Sequence, residues 1–551
     1  MAMVAPYTKR HDDPLVPAQK LMRLPTALVP LRHATFRSLW LASVVAWLGT
    51  WLQNTGAGWL MTSLAPDPLI VSMVQAATIM PVFLLALPGG ALADIVDRRM
   101  FLIGTQIWTI LAASLLAILT ISGAMTATWL LALTFAIGIG TAMTAPAWSA
   151  VVPELVPRED LVQAIAMNGI GYNLTRAIGP ALAGFLILLG GSSLAFSLYA
   201  TSITAVIAAL VLWKRDARRF TGLPREHFLS AMRAGVRFVR NTPAIRSAMM
   251  RTIAYSIPCS APWAMLPLFV RQELGLGAGM YGVILGMMGI GGVTSGMLLP
   301  FARARFSRGR TVLVCTLSSC AGIALLATAQ HWAVAAFAML LFGVGWTAAY
   351  ATMQAAAQLT CPPWVRARSL SIYQLAQNGA LTLGSFAWGW LAGHIGMPVT
   401  LGLAAALGVA LAVAALGYRI EAITAGTAPP PGQNPLTPEA PAAELVPLLR
   451  NAHGRVMETV HYRVTPDERG AFMAIMREVR LLRGRSGAQF WQLYEDVAHP
   501  EGWIEIWSME SWTDHLREAG RLSDADRQML ARAAAFQHEA ERPSRFIAVD
   551  P

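Results

Sequence analysis

From Arg37 to Ile420 the chain alternates long apolar runs with short polar breaks. Twelve runs, near 38–63, 69–92, 100–122, 128–150, 161–189, 192–213, 248–270, 279–300, 311–329, 332–358, 369–393 and 398–418, are each long enough to cross a bilayer, which takes about 20 apolar residues. The pattern then changes. Residues 421–450 hold seven prolines and read as an extended linker. Beyond them, Arg455–Val464 alternates with period two, and Thr465-Pro466-Asp467-Glu468 forms a capping box. The helix it opens carries Phe472, Ile475, Met476, Val479 and Leu482 on one face. Two strands, Ala488–Asp496 and Glu501–Met509, flank His499-Pro500. Ser511 and Ser523 cap two further helices, and Arg545–Val549 closes as a strand. The order β-α-β-β-α-β is ferredoxin-like.

Composition sharpens this. Of 551 residues 55% are hydrophobic and 13% charged, with mean hydropathy +0.50; a wholly water-soluble or disordered chain is excluded. The net charge of +12 does not imply a nucleic-acid partner. Twenty-five Lys/Arg fall in alternate inter-span segments, and Arg271 stands alone on the opposite side. That bias predicts both termini in the cytoplasm of a multi-pass bacterial inner-membrane protein. The expected organisation is a cytoplasmic segment 1–37 that is not a signal peptide, a six-helix bundle 38–213 and a basic connector 214–247. A second bundle 248–420, the linker 421–450 and a cytoplasmic domain 451–551 complete it. In the connector, Phe228, Met232, Val236 and Val239 mark an amphipathic piece that either lies on the membrane surface or is plain connector. The four cysteines all lie in apolar stretches, so neither a disulfide framework nor a metal site is expected.

The two sets of six spans echo each other, as in secondary transporters with a substrate path between repeats. Gly90-Ala-Leu-Ala-Asp94, followed by Arg98-Arg99, is similar to the loop motif of the major facilitator superfamily; it departs from that motif at Ile95 and Asp97. Asn173-x-x-Arg176-x-x-Gly179-Pro180-x-x-x-Gly184 and Arg366-Ala-Arg368 resemble the enterobactin-exporter-like branch, the transmembrane secretion effectors. The resemblance implies an all-α, twelve-helix major facilitator fold with 6+6 repeats. It also implies export of a small organic molecule (siderophore, drug or secondary metabolite) by proton-coupled alternating access, in which Gly90, Asp94, Arg98 and Arg99 form a conformational latch. Helix anchoring is the alternative for the arginines.

Within the spans, Asn168, Tyr172 and Arg176 share one helical stripe, with Asn173 beside it. An arginine inside a membrane needs a wet cavity or a partner. Arg176 is therefore either a cavity residue attracting anionic or catecholate-like groups or a structural cation. Gly179-Pro180 and Gly184 mark a kink at which a gate could bend. Asn54, Gln354, Gln358 and Gln377 are cavity amides or interhelical glue. None of the 14 Asp/Glu before residue 451 lies mid-span, nor does any His, so a buried proton carrier is not evident.

The C-terminal domain resembles antibiotic biosynthesis monooxygenases through Val460–Val464, Arg485-Ser-Gly-Ala and Ser511-Trp512-x-x-His515. That resemblance implies dimerisation, and it makes Trp491, Trp507, Trp512 and His515 either pocket residues or core aromatics with a surface histidine. A membrane-tethered, cofactor-independent monooxygenase is thus the competing function. No cofactor or metal is called for; the expected partners are lipid, a small-molecule substrate and protons.

Overall fold

The computed structural model describes residues 26–213, 228–362, 364–418, 456–537 and 544–547. The Pro-rich linker expectation lies outside them. The membrane part comprises α1 (Ala34–Leu64), α2 (Pro68–Ile95), α3 (Arg98–Ile121), α4 (Ala127–Leu155) and α5 (Leu161–Leu212). After a short connector helix, α6 (Phe228–Asn241), come α7 (Pro243–Gln272), α8 (Ala278–Arg305), α9 (Arg308–Ala327), α10 (Trp332–Thr360), α11 (Arg366–Ile395) and α12 (Met397–Ala414). The 52 residues of α5 are two crossings, because Gly190 and Gly191 leave helical angles. Gly191 adopts φ 70°, ψ −177°, a region open essentially to glycine. Among the described residues nine helices, α5 counted once, are long and apolar enough to cross a membrane. α1 and α11 are less apolar because they carry Gln53 and Asn54, and Gln374, Gln377 and Asn378; each packs within its own bundle, α1 on α5 and α11 on α7. With α5 crossing twice, the crossings number twelve.

α1–α5 pack on one another, as do α7–α12, and the two sets meet along α2 with α11 and α5 with α8. The α5–α8 seam explains the glycines there. A Cβ on Gly184 would lie 2.6 Å from Gly282 Cα, and one on Gly289 would lie 2.5 Å from Ala177 Cα. Without a hydrophobic drive between helices in lipid, such small-residue approach is what holds them. It also corrects the expected kink: α5 keeps helical angles through Pro180, and departs from them only at Gly190 and Gly191. The missing N–H of Pro180 frees the Arg176 carbonyl, which faces Gly289 across the seam.

α6 bears on a second expectation. Phe238 and Val239 are buried at 2% and 5% exposure against α11, and Phe238 meets Trp364 edge-to-face at 6.0 Å. The part of its apolar face at Phe238 and Val239 therefore packs on protein, while Val236 stays 51% exposed.

The C-terminal domain holds β1 (Val456–Arg463), α13 (Arg469–Ser486), β2 (Phe490–Glu495), β3 (Gly502–Met509), α14 (Trp512–Arg521), α15 (Asp524–Ala534) and β4 (Ser544–Ile547). The sheet is antiparallel in order β2-β3-β1-β4, the ferredoxin-like arrangement. Ser511 and Ser523 cap their helices as expected. α13 starts later than expected, because Thr465–Glu468 first closes a turn. The domain docks beside the α10–α11 turn. Trp364 Nε1 donates to the Arg521 carbonyl at 3.2 Å, the Arg521 guanidinium stacks 4.9 Å over Trp364, and Arg233 pairs with Glu510 at 3.2 Å.

Candidate substrate cavity

Between the two bundles lies a cavity of about 210 Å³. α1 supplies Trp47, Trp51 and Asn54, α2 supplies Gln75, and α5 supplies Tyr172; Trp263 of α7, Tyr281 of α8 and Met339 of α10 close the other side. The aromatic rings continue across the interface between bundles. Trp51 stacks on Trp263 at 6.4 Å, Trp263 meets Trp346 at 5.6 Å, and Trp346 meets Tyr350 edge-on at 4.5 Å. Trp47 and Tyr172 pack edge-to-face at 5.8 Å. Such walls favour flat apolar groups, and the amides add donors and acceptors without net charge.

Arg176 sits one turn beyond Tyr172 on α5. Its Nη2 is buried with no hydrogen-bond partner, and among the described residues no carboxylate pairs with it. Asn54 Oδ1 is likewise buried and unmatched. An arginine cannot shed its proton here, so this cation awaits a counter-charge.

The cavity is sealed at one end only. There Arg271 Nη1 donates to Thr62 Oγ1 at 3.0 Å and to Ser63 Oγ, and the guanidinium lies 5.5 Å over Trp59. Trp59 in turn stacks on Tyr281 at 5.7 Å, and Gln272 donates to the Pro66 carbonyl at 3.2 Å. At the other end, which bears the basic loops, α4 builds no packing interface with α10 or α11 among the described residues.

The remaining expected site residues fall in several places. Asn168 is half-buried with Oδ1 unmatched, whereas Asn173 turns outward and donates to the Gly169 carbonyl at 2.8 Å. Gln354 and Gln377 are half-buried, Gln358 is exposed, and none of the three lines the cavity. Gly179 receives the Trp51 side chain, a Cβ there lying 2.6 Å from Trp51 Cβ and 2.7 Å from its ring. The side chain of Asp94 lies outside the described residues. Its motif neighbours act within the first bundle: Arg98 Nη1 donates to Glu154 Oε1 at 2.8 Å, and Arg99 caps the end of α5 through the carbonyls of Leu210 and Val211 at 2.8 and 2.7 Å. In the second bundle Arg251 does the equivalent work, donating to the Tyr418 carbonyl at 2.7 Å. Sequence reasoning missed Gln75, Trp263, Tyr281 and Met339; the prolines Pro258, Pro262 and Pro267 of α7 were the available signal of an irregular wall.

In the C-terminal domain the aromatics pack around buried charges. Glu505 accepts from Arg483 Nε at 3.1 Å, Tyr462 at 2.8 Å and Trp491 Nε1 at 2.9 Å, while Arg483 Nη1 reaches Glu518 at 3.1 Å. Arg483 lies 3.5 Å from the Trp507 ring centre, and Arg545 5.2 Å from that of Trp512. His515, expected as a pocket or surface group, turns inward onto Glu458.

Two bundles that enclose a polar-aromatic cavity open at one end define a membrane transporter. The chain belongs to the transmembrane secretion effector family of major facilitator transporters, matching it over residues 25–549. It is similar to the staphyloferrin A transporter of Staphylococcus aureus, 25% identical over 62% of this chain and 86% of that protein. It is also similar to the enterobactin exporter of Shigella boydii, 27% identical over 58% of this chain and 76% of that one. In fold it resembles a peptide-bound POT family transporter (TM-score 0.58, 12% identity, 70% of this chain and 95% of that one). It likewise resembles a D-xylose–proton symporter (TM-score 0.54, 14% identity, 69% and 97%). These relatives are transporters, and they give no support to the monooxygenase alternative.

Proposed function

We propose that this protein exports an anionic, aromatic-bearing small molecule of the siderophore class across the bacterial inner membrane, from a cytoplasm that both termini face. The observation that carries this reading is an aromatic cavity whose wall residue Tyr172 lies one helical turn from the unmatched guanidinium of Arg176, midway along its crossing. Stacked rings would hold a catecholate, Arg176 its charge, and closure of the basic-loop end would break the Arg271 seal opposite. The named relatives carry or export siderophores, which agrees with this chemistry. The test is accumulation of 2,3-dihydroxybenzoate in inverted vesicles. Vesicles with the protein should accumulate it, and Arg176→Ala should lower the rate at least ten-fold at equal abundance; equal rates with and without the protein would refute the reading. For the C-terminal domain we propose dimerisation through its open sheet face, where Met457, Phe490, Tyr494 and Phe546 are 38–51% exposed on one side. Phe490→Asp with Phe546→Asp should then leave a monomer in light scattering.

A further inference from the structure

Among the described residues Arg176 is the only charged side chain midway along any of the twelve crossings; the other described Lys, Arg, Asp, Glu and His of these helices stand nearer their ends, Arg251 about two turns into α7. It is half-buried, one helical turn from the cavity-wall residue Tyr172, and its Nη2 is buried and unmatched. The transporter therefore carries one fixed positive charge at mid-membrane and, among the described residues, no carboxylate or imidazole there to carry a proton. We propose that export is driven by the membrane potential: the substrate's own negative charge is the coupling charge, and no proton is countertransported. This rests on the export reading and its orientation.

The physics is direct. An elementary charge moved through the membrane field gains about 2.3 kcal/mol per 100 mV. In the empty carrier an inside-negative potential pulls the guanidinium toward the cytoplasm and so favours the state open to the basic-loop side, the one seen here. A monoanion bound at Arg176 cancels that charge, removes the bias and lets the loaded carrier turn outward. The empty carrier is then driven back. Each cycle moves one net negative charge out, with the field, and the arginine never titrates.

One measurement needs no substrate. The full-length protein with Val74→Cys, a cavity position, is reconstituted, and a membrane-impermeant maleimide is added outside liposomes carrying a potassium diffusion potential. Labelling is read by mass spectrometry at that thiol in molecules whose basic loops face the lumen. A lumen-negative potential of about 100 mV should slow labelling several-fold, up to about seven-fold if the guanidinium crosses half the field. Arg176→Gln should abolish the dependence and Arg176→Lys should keep it. Labelling indifferent to potential, or a dependence that survives in Arg176→Gln, overturns the proposal. Flux of 2,3-dihydroxybenzoate separates it from the export reading. Flux under a pH gradient but not under a potential leaves export standing and sinks this inference. No flux under either refutes the export reading and with it potential-driven export, leaving voltage-dependent labelling as evidence only that Arg176 senses the field.

Discussion

Gly184 and Gly282 touch where α5 crosses α8, and there is no room for even one methyl group on either. Gly184→Val should therefore force the seam apart. Overpacking costs about 1–3 kcal/mol, and since this seam joins the two bundles, transport should fall further than abundance; parallel flux and surface-abundance measurements check it. The buried charges of the C-terminal domain make a different prediction. Three carboxylates (Glu458, Glu505, Glu518) face two guanidiniums (Arg483, Arg545), and burial raises the Glu518 carboxyl above its ordinary 4.5, although Arg483 opposes the shift. A raised folded-state value adds stability that is fully present below the ordinary range and is lost as pH rises through the folded one. Protection of the α13 and β3 amides, taken relative to their intrinsic exchange rates, should accordingly rise as pH falls toward the ordinary carboxylate range, and Glu518→Gln should flatten that trend.

At the scale of elements, most of the architecture was legible and the azimuths were not. Lipid demands about 20 apolar residues per crossing, so all twelve spans could be read to within a few residues of the observed helices. Gly190-Gly191 divided the fifth and sixth because no other residue type accepts the angles of Gly191. Gly191→Ala should cost about 1–3 kcal/mol, seen as lower folded yield in detergent with unchanged oligomer size. What the sequence withheld was which protein neighbour a polar stripe faces. Gln354 and Gln358 share a stripe as regular as that of Tyr172 and Arg176, yet only Tyr172 reaches the cavity wall. Polarity in a span says "not lipid", and helix tilt and rotation decide the rest. For the same reason Trp263 and Tyr281, apolar enough to pass for lipid-facing residues, went unread. For α6 a lone amphipathic pattern leaves membrane surface and connector open, because its partner Trp364 lies in a distant turn.

For the whole molecule the decisive asymmetry is one sealed end and one open end. Arg271, solitary on its side in the sequence, is the centre of that seal, joining α7 to the end of α1. Removing it should shift the population toward the opposite opening. Arg271→Ala should raise labelling of Val74→Cys from the far side by about 5-fold or more, since each hydrogen bond to a charged donor is worth about 1.5–3 kcal/mol; unchanged labelling would show the seal to be incidental. The docking of the C-terminal domain has its own consequence. Its contacts run to α6 and to the turn at Trp364, so it travels with the second half. A small tilt at that pivot becomes a wide sweep at the distant strand edge. A dye placed there would read the pump stroke by stroke from the water, leaving the greasy interior untouched.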